Sequence, residues 1–280
     1  MSRFENRLPP ENINVSKNNL LLEFVWLLAG VALSVIALVG VVYVAGSLLA
    51  RHIPLSWENR IADALYPRAM PEDARSLTLQ KLADRLAKGL ILPQEMRFRL
   101  TYVDDNEVNA YASLGGHIHI HRGLITRLNS ENALAMVIAH EMAHVLHRDV
   151  ADSMGGSMAV GAAMLLLSPV IGVDGLNSLV GFVQDLTLKS FSREAEARAD
   201  DTAIALVGRH YGHLGGAREV FDELAAYEKE AVLLATPELL STHPDTLRRT
   251  NLLIELGKTL NLPLEGRLRP LPTDLIKAEK

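Results

Sequence analysis

The feature that most constrains the fold of this chain is an uncharged stretch of 27 residues that runs from Phe24 to Ala50. About 20 apolar residues suffice to cross the hydrocarbon core of a bilayer as a helix, and a buried core helix is usually shorter than this stretch. A cleaved signal peptide has a hydrophobic core of only about 7 to 15 residues, although the small residues at 45–47 would suit a signal peptidase. The sequence therefore predicts an uncleaved transmembrane anchor over 20–50, preceded by a flexible polar tail over 1–19.

The charged residues that flank this stretch do not set its orientation in a membrane. Basic residues favour the cytoplasmic side, and the two flanks carry equal numbers of them at similar distances. Three precede the stretch and three follow it: Arg3, Arg7 and Lys17, then Arg51, Arg60 and Arg68. The sequence thus predicts a single-pass membrane protein without assigning the remainder of the chain to one side.

The composition excludes several classes of protein. The chain has no cysteine, which removes disulfides, thiolate catalysis and cysteine-bound zinc. Its 28 basic and 33 acidic residues give a net charge of −5, and only 5% of its residues are aromatic. A nucleic-acid partner is not expected, because such proteins need a basic surface or a platform of stacking rings.

Beyond the anchor, the chain carries the patterns of one mixed domain over 51–261. Apolar residues recur at spacings of three and four in several segments, which predicts helices, and two shorter segments alternate, which predicts strands. Residues 262–280 contain three prolines and are predicted to form an extended tail. The expected fold class is α+β, mainly α-helical. The predicted helices lie within 55–92, 130–147, 176–205 and 216–234, and the predicted strands are 96–103 and 117–121.

The segment 139–144 reads AHEMAH and carries the strongest chemical signal. His140 and His144 are four residues apart, so on a helix they lie on one face and can reach the same metal ion. Glu141 points about 100° around the helix, outside the ligand set but near water that the metal would activate. The alternative is an ordinary amphipathic helix, but burying these groups among apolar residues without a partner would be costly. The motif predicts one zinc ion per chain, with Glu141 as the general base.

A catalytic zinc site uses three protein ligands and keeps one position open. The metzincin arrangement requires glycine at 147 and histidine at 150, where this chain has His147 and Val150, so that subclass is excluded. A thermolysin-like site takes its third ligand from a glutamate on a later helix. The segment 192–200 offers two candidates, Glu194 and Glu196.

The order of these motifs resembles that of the HtpX-like zinc peptidases, the family of the CAAX prenyl endopeptidases and mitochondrial Oma-type proteases. In that family HExxH is followed by Ser-Arg-x-x-Glu-x-x-Ala-Asp, which matches residues 192–200. The resemblance implies that Glu196, rather than Glu194, is the third zinc ligand. It also implies that Asp200 holds a zinc-binding imidazole by its free N–H. The fold it implies is a zincin-type metalloprotease domain with a small β-sheet and an active-site helix.

Residues 109–116 read NAYASLGG and resemble the family's Asn-Ala-Phe-Ala-x-x-Gly-Gly strand. The resemblance implies that 116–121 form an edge strand that pairs with extended substrate. The residues expected to contact substrate are Asn109, Gly115, Gly116, His117 and His119. Because His117, His119 and His121 share one strand face, a second metal site there is the less favoured alternative.

Thr242-His243-Pro244, followed by Arg249, resembles the family's Thr-His-Pro…Arg segment. His243 is a candidate to stabilise the oxyanion of the reaction or to occupy the open position of zinc, and the alternative is a helix-capping surface residue. Arg249 is expected to pair with a carboxylate near the site, and a purely structural ion pair is the alternative.

The zinc ligands also constrain the topology of the chain. Residues 153–173 are uncharged, and hydropathy alone would predict a second membrane span. One crossing there would place His140 and His144 on the opposite side from Glu196, and no zinc site would form. We therefore expect a buried helix, or a helix lying against the membrane surface.

Together these features predict a membrane-anchored zinc metalloendopeptidase acting on polypeptides, with membrane-associated or misfolded proteins as substrates. The expected location is a bacterial inner membrane. A zinc-containing, chaperone-like binding protein with little turnover is the alternative. A prenyl-processing enzyme ranks last, because its relatives enclose their sites with many transmembrane helices.

Overall fold

The computed structural model describes residues 19–50, 52–65, 73–156, 159, 191–231 and 246–276. These residues are mainly helical and include one small β-sheet, as the predicted fold class requires. The helices, numbered along the described chain, are α1 (Leu20–Ala50), α2 (Leu55–Leu65), α3 (Ala74–Ala87), α4 (Arg122–Ile125), α5 (Glu131–Leu146), α6 (149–156), α7 (Arg193–Tyr211), α8 (Gly215–Ala231), α9 (Thr246–Thr259) and α10 (Thr273–Ile276).

Helix α1 forms most of the N-terminal unit, whose described residues are 19–42. It has 31 residues and is long and apolar enough to cross a membrane, judged by length and composition alone. At about 1.5 Å per residue its length exceeds the roughly 30 Å of a bilayer's hydrocarbon core. The side chains of its most apolar stretch are exposed. The predicted anchor segment is therefore a helix of sufficient length.

The sheet consists of β1 (Arg99–Val103), β2 (Ala110–Ser113) and β3 (His117–His121), in the spatial order β1-β3-β2. β3 lies in the middle, parallel to β1 and antiparallel to β2. The prediction that 116–121 form an edge strand is therefore wrong. Alternation along a strand indicates which face is buried, but it does not indicate how many strands pair with it.

The outer edge of β1 is covered by α3, whose side chains replace a fourth strand. The side-chain oxygen of Gln80 accepts a hydrogen bond from Leu100 N at 3.0 Å, and its amide group donates to Phe98 O at 3.1 Å. The hydroxyl of Ser76 accepts from Tyr102 N at 2.9 Å. Because these bonds satisfy the backbone of β1, the edge that remains for a further strand in the described sheet is that of β2.

Helix α5 passes through the centre of the domain. Ser130 caps its start, since the hydroxyl accepts a hydrogen bond from Ala133 N at 3.0 Å. Every residue from Asn132 to Val145 is buried, and α5 packs mainly against α7 and α8. A helix that is buried on all sides forces any charged side chain it carries to find a partner inside the protein.

The described part of the predicted tail packs against this domain. Pro270 pairs with Ser130 in an isolated antiparallel bridge, and Glu131 N donates to Arg269 O at 2.8 Å. Leu271 and Leu275 are buried. The segment is extended up to α10, and the predicted domain boundaries stay predictions.

Several predictions concern residues outside the described part of the chain. They involve the N-terminal tail up to residue 18, most of the uncharged segment 153–173, the first part of the helix predicted within 176–205, and His243. Of the uncharged segment, only 153–156 and 159 are described, and residues 153–156 are helical.

Candidate metal centre

The three predicted ligands come together inside the domain. The Nε2 atoms of His140 and His144 lie 3.1 Å apart. One carboxylate oxygen of Glu196 lies 3.4 Å from Nε2 of His140, and its other carboxylate oxygen lies 3.4 Å from Nε2 of His144. All three side chains are buried. Glu194, the other glutamate considered, is exposed on α7.

This donor set fits zinc by both chemistry and spacing. Two imidazoles and one carboxylate are a known ligand set of catalytic zinc. Bonds of about 2.0–2.1 Å in a tetrahedral arrangement place donor atoms roughly 3.3 Å apart. The two Nε2 atoms are 3.1 Å apart and each lies 3.4 Å from the nearer oxygen of Glu196, which is close to that spacing.

Small side chains let the two ligand-bearing helices approach closely. Ala143 on α5 and Ala199 on α7 are fully buried. Ser192 caps α7 through a hydrogen bond from Ala195 N to its hydroxyl at 3.2 Å, so that Glu196 lies in the first turns of the helix. The site therefore depends on the start of α7 packing against the last turns of α5.

Asp200 and Arg249 lie on the Nδ1 side of the His140 imidazole. The Nδ1 atom of His140 lies 2.9 Å from a carboxylate oxygen of Asp200. Arg249 donates two hydrogen bonds of 2.8 Å to the same carboxylate, one from Nε and one from Nη2. Since a proton on Nδ1 satisfies Asp200, the Nε2 atom of His140 is left as an electron-pair donor. Arg249 thus pairs with a carboxylate at the site.

Strong electrostatic coupling shifts the pKa values of this group. Burial and the charge of Arg249 oppose protonation of His140, but hydrogen bonds to Asp200 and Glu196 outweigh them and raise its pKa to about 9. Burial also opposes ionisation of Asp200, but Arg249 and the His140 hydrogen bond hold the pKa of Asp200 far below its usual range. The raised pKa of His140 shows that its carboxylate neighbours favour positive charge on the imidazole, and the lowered pKa of Asp200 shows that Asp200 stays ionised beside Arg249.

Asp149 supports His144 in the same way, although the sequence motifs do not identify it. One of its carboxylate oxygens lies 3.0 Å from Nδ1 of His144, and the other accepts a hydrogen bond of 2.8 Å from Arg198. The ring of Phe191 stacks on the imidazole of His144, with ring centroids 4.0 Å apart. An acidic residue five positions after the second histidine of the motif is the signal that could have identified Asp149.

Glu141 is 1% exposed and lies on the same turn of α5 as His140. Both residues form part of the wall of an apolar cavity between α5 and α8. The general-base candidate therefore adjoins the ligand cluster and has apolar surroundings on its other side.

The residues predicted to contact substrate lie in the sheet and its connecting turn. Asn109 is buried, and its backbone oxygen accepts a hydrogen bond from His121 N at 3.1 Å. Gly115 and Gly116 both have positive φ, and a Cβ atom on Gly116 would lie 1.8 Å from Arg97 O. The two glycines thus make the reversal between β2 and β3 possible.

The strand histidines do not form the predicted surface. His117 and His121 are buried, and His119 stacks on Tyr111 with ring centroids 4.7 Å apart. Burial, together with the charges of His117 and His121, lowers the pKa of His119 to about 4. His117 is therefore not at the surface in this structure, and a role of His117 and His119 in substrate binding stays a prediction.

The three strand histidines also do not form a metal cluster of their own among the described residues. The ligand atoms near His121 are instead those of Asp105, at 2.9 Å from Nδ1, and Glu107, at 3.7 Å. The Nε2 atom of His147 lies 2.8 Å from the hydroxyl of Thr202. His243 lies outside the described residues.

Comparison with known protein sequences identifies the family of this chain. The sequence model of peptidase family M48 matches residues 73–256. A putative beta-barrel assembly-enhancing protease of Vibrio cholerae serotype O1 is 32% identical over 158 residues, which are 52% of this chain and 32% of that protein. The beta-barrel assembly-enhancing protease of Escherichia coli K12 is 30% identical over 158 residues, with the same shares covered. The mitochondrial metalloendopeptidase OMA1 of Schizosaccharomyces pombe is 24% identical over 206 residues, 70% of this chain and 60% of that protein.

The chain spans about a third of the length of the two bacterial relatives. The family match covers more than half of the chain and contains the ligand cluster with its supporting residues. The resemblance to HtpX-like and Oma-type peptidases is thereby confirmed. This chain belongs to peptidase family M48, a family of metallopeptidases.

Proposed function

We propose that this chain is a membrane-anchored zinc metalloendopeptidase that hydrolyses peptide bonds in membrane-associated or misfolded proteins. The observation that carries the proposal is the buried cluster of His140, His144 and Glu196, with Glu141 on the same helical turn. The family match supports a protease in general, and the geometry supports the residue roles proposed below.

The ligand atoms are the Nε2 atoms of His140 and His144 and the carboxylate of Glu196. Asp200 and Asp149 each accept the Nδ1 proton of one imidazole, which fixes both rings in the tautomer that a metal requires. When bound there, zinc supplies a Lewis acid that polarises the scissile carbonyl and makes water more acidic.

Glu141 performs the proton transfers of the reaction. Its carboxylate accepts a proton from water as the water oxygen bonds to the scissile carbonyl carbon. It then donates this proton to the departing nitrogen as the C–N bond breaks, which returns the carboxylate to its starting form. The burial of Glu141 keeps bulk water away from these transfers.

The substrate strand pairs with β2 rather than with β3. The edge of β1 is covered by α3, and β3 lies inside the sheet, so β2 offers the edge that remains in the described sheet. Asn109 directly precedes this strand. Pairing through backbone hydrogen bonds requires an extended chain but tolerates many sequences, as a protease of non-native proteins needs.

The predicted anchor holds the enzyme at a membrane. Helix α1 is long and apolar enough to span a bilayer, and the bacterial inner membrane is the proposed location. Tethering confines the active site to clients near the membrane. Two of the relatives are named for enhancing the assembly of β-barrels, which supports unassembled membrane proteins as a substrate class.

Casein cleavage by the zinc-loaded chain of residues 1–280 in detergent tests the proposal. Glu141→Gln is expected to retain zinc and to lower the rate at least about a hundredfold, the contribution expected of a general base. Glu196→Gln is expected to lose zinc, whereas Glu194→Gln, which changes an exposed neighbour, keeps both zinc and activity.

The outcomes distinguish the proposed protease from a zinc-containing binding protein with little turnover. Unchanged cleavage by Glu141→Gln would show that the mechanism is wrong. Zinc binding and capture of unfolded casein without cleavage by any variant would favour the chaperone-like alternative.

A further inference from the structure

We propose that Glu58, on the helix that follows the predicted anchor, is a positioning residue of the active site. It acts by holding two backbone turns at once, one at Gly115 and one at Arg148. Helix α2 is then part of the catalytic machinery and does more than connect the anchor to the domain. This inference rests on the proposed protease function and adds a positioning residue to the same site.

The carboxylate of Glu58 lies between two donors that are far apart in the sequence. One oxygen, Oε1, accepts a hydrogen bond from Gly115 N at 3.1 Å. The other, Oε2, accepts from Nη2 of Arg148 at 3.0 Å. The side chain of Glu58 is 11% exposed and that of Arg148 is 21% exposed, so water can replace these donors only in part. A single side chain of α2 therefore joins both turns.

The bond to Arg148 affects the metal ligands. Arg148 has a φ of 59°, a conformation that is unfavourable for a residue other than glycine. Its Nη2 atom also donates to Ile53 O at 2.8 Å, so two bonds fix the guanidinium. The next residue is Asp149, which lies 3.0 Å from Nδ1 of His144. Holding the side chain of Arg148 therefore helps to keep Asp149 against the imidazole of a metal ligand.

The bond to Gly115 affects the strand that is proposed to pair with substrate. Gly115 lies between β2 and β3 and has a φ of 71°. The turn packs directly on α2, since a Cβ atom on Gly115 would lie 2.5 Å from the Cβ atom of Ala62. Glu58 and Ala62 together therefore fix this turn, and with it the end of β2.

The C-terminal end of α1 packs beside the same turn of Arg148. A Cβ atom on Gly155 of α6 would lie 2.2 Å from the Cβ atom of Ala50 and 2.9 Å from Gly46 O. The end of α1 and this part of α6 are thus in close backbone contact. Because α6 begins at Asp149, the last residues of the predicted anchor and Glu58 both contact the part of the domain that supports His144.

Zinc affinity tests the contact with Arg148 without relying on catalysis. Glu58→Ala in the chain of residues 1–280 is expected to raise the dissociation constant for zinc at least about threefold, measured by competition with a chromophoric chelator. In an Arg148→Gln background the same substitution should have no further effect on zinc, because Glu58 acts on the metal ligands through Arg148. Asp63→Ala is the matched control, since it removes a carboxylate that is 66% exposed from the same helix.

Peptide cleavage at saturating zinc tests the contact with Gly115. Glu58→Ala is expected to raise KM at least about threefold with a smaller change in kcat, because the end of β2 is no longer held in place. This rise should persist in the Arg148→Gln background, since the bond to Gly115 does not involve Arg148. Glu58→Gln keeps one acceptor oxygen and should lie between wild type and Glu58→Ala in both measurements. It replaces Glu58→Ala if that variant does not fold.

The results distinguish this inference from the proposed function. Wild-type zinc affinity and KM in Glu58→Ala overturn the positioning role and leave the protease intact. Equal changes in Asp63→Ala, or a further loss of zinc affinity when Glu58→Ala is added to Arg148→Gln, also overturn it, because they indicate a general loss of stability. Absence of any cleavage that depends on Glu141 overturns the proposed function, whereas the zinc measurements still test the contact with Arg148.

Discussion

The Nδ1 atom of His144 lies 3.0 Å from a carboxylate oxygen of Asp149, a residue beyond the end of the helix that carries the metal motif. The chain reaches this position because Arg148 has a φ of 59°, in the left-handed region, and this residue turns the backbone from α5 into α6. Each of the two histidine ligands therefore has its own buried carboxylate, Asp200 for His140 and Asp149 for His144.

Asp149→Asn is expected to weaken zinc binding by about 10- to 100-fold, because an amide oxygen accepts the Nδ1 proton without the charge that strengthens the ligand. The dissociation constant for zinc, measured by competition with a chromophoric chelator, checks this. Asp201→Asn is the control, since it removes the same charge from an exposed position on α7. Equal zinc affinity for Asp149→Asn and wild type would exclude a supporting role for Asp149.

Arg249→Gln is expected to lower the free energy of unfolding by about 3–5 kcal/mol, because it leaves the buried carboxylate of Asp200 without its main counter-charge. Chemical denaturation of the full chain in detergent measures the change. Arg248→Gln, at the exposed neighbouring position, should have little effect. If the two variants are equally stable, the ion pair does not stabilise the fold as the geometry indicates.

The parts of this site that sequence predicts well are those that depend on local spacing. The side chains of His140 and His144 lie on one face of the helix and reach one site, because four residues make about one helical turn. Glu196 lies on another helix, and spacing alone left it beside Glu194 as a candidate. A resemblance to a family was needed to choose between them, because the deciding contact joins residues far apart in the chain.

The sequence predicts neither the role of Asp149 nor the order of the strands, because both depend on where the backbone reverses direction. The turn at Arg148 places Asp149 beside His144. Nothing in the sequence indicates that this arginine has a backbone conformation in the left-handed region. The order of the strands depends on β1 pairing with β3 across an intervening strand and turn. Alternation in 117–121 predicts a strand, which the structure confirms, but it carries no information on which strands pair with it.

Gly116→Ala is expected to destabilise the protein more than Gly212→Ala. Both glycines have a φ near 75°, so each variant incurs the roughly 1–2 kcal/mol cost of a left-handed alanine. At Gly116 the new Cβ would also collide with Arg97 O, whereas the space around Gly212 is open. Comparison of the two free energies of unfolding isolates the collision, and equal losses would show that the turn can relax around it.

The stability of the sheet should depend on pH through His119. Its pKa is about 4 in the folded protein, below the ordinary value of 6.5, so the unfolded chain binds a proton first as the pH falls. Stability attributable to this group is complete above pH 6.5, declines as the pH falls from 6.5 towards 4, and is lost below that. The shift corresponds to a loss of up to about 3 kcal/mol. Unfolding of wild type and His119→Gln, measured between pH 7.5 and 4.5, checks this through the difference between their slopes, since the carboxylates common to both cancel. Parallel slopes would show that His119 is protonated as readily in the folded protein as in the unfolded chain.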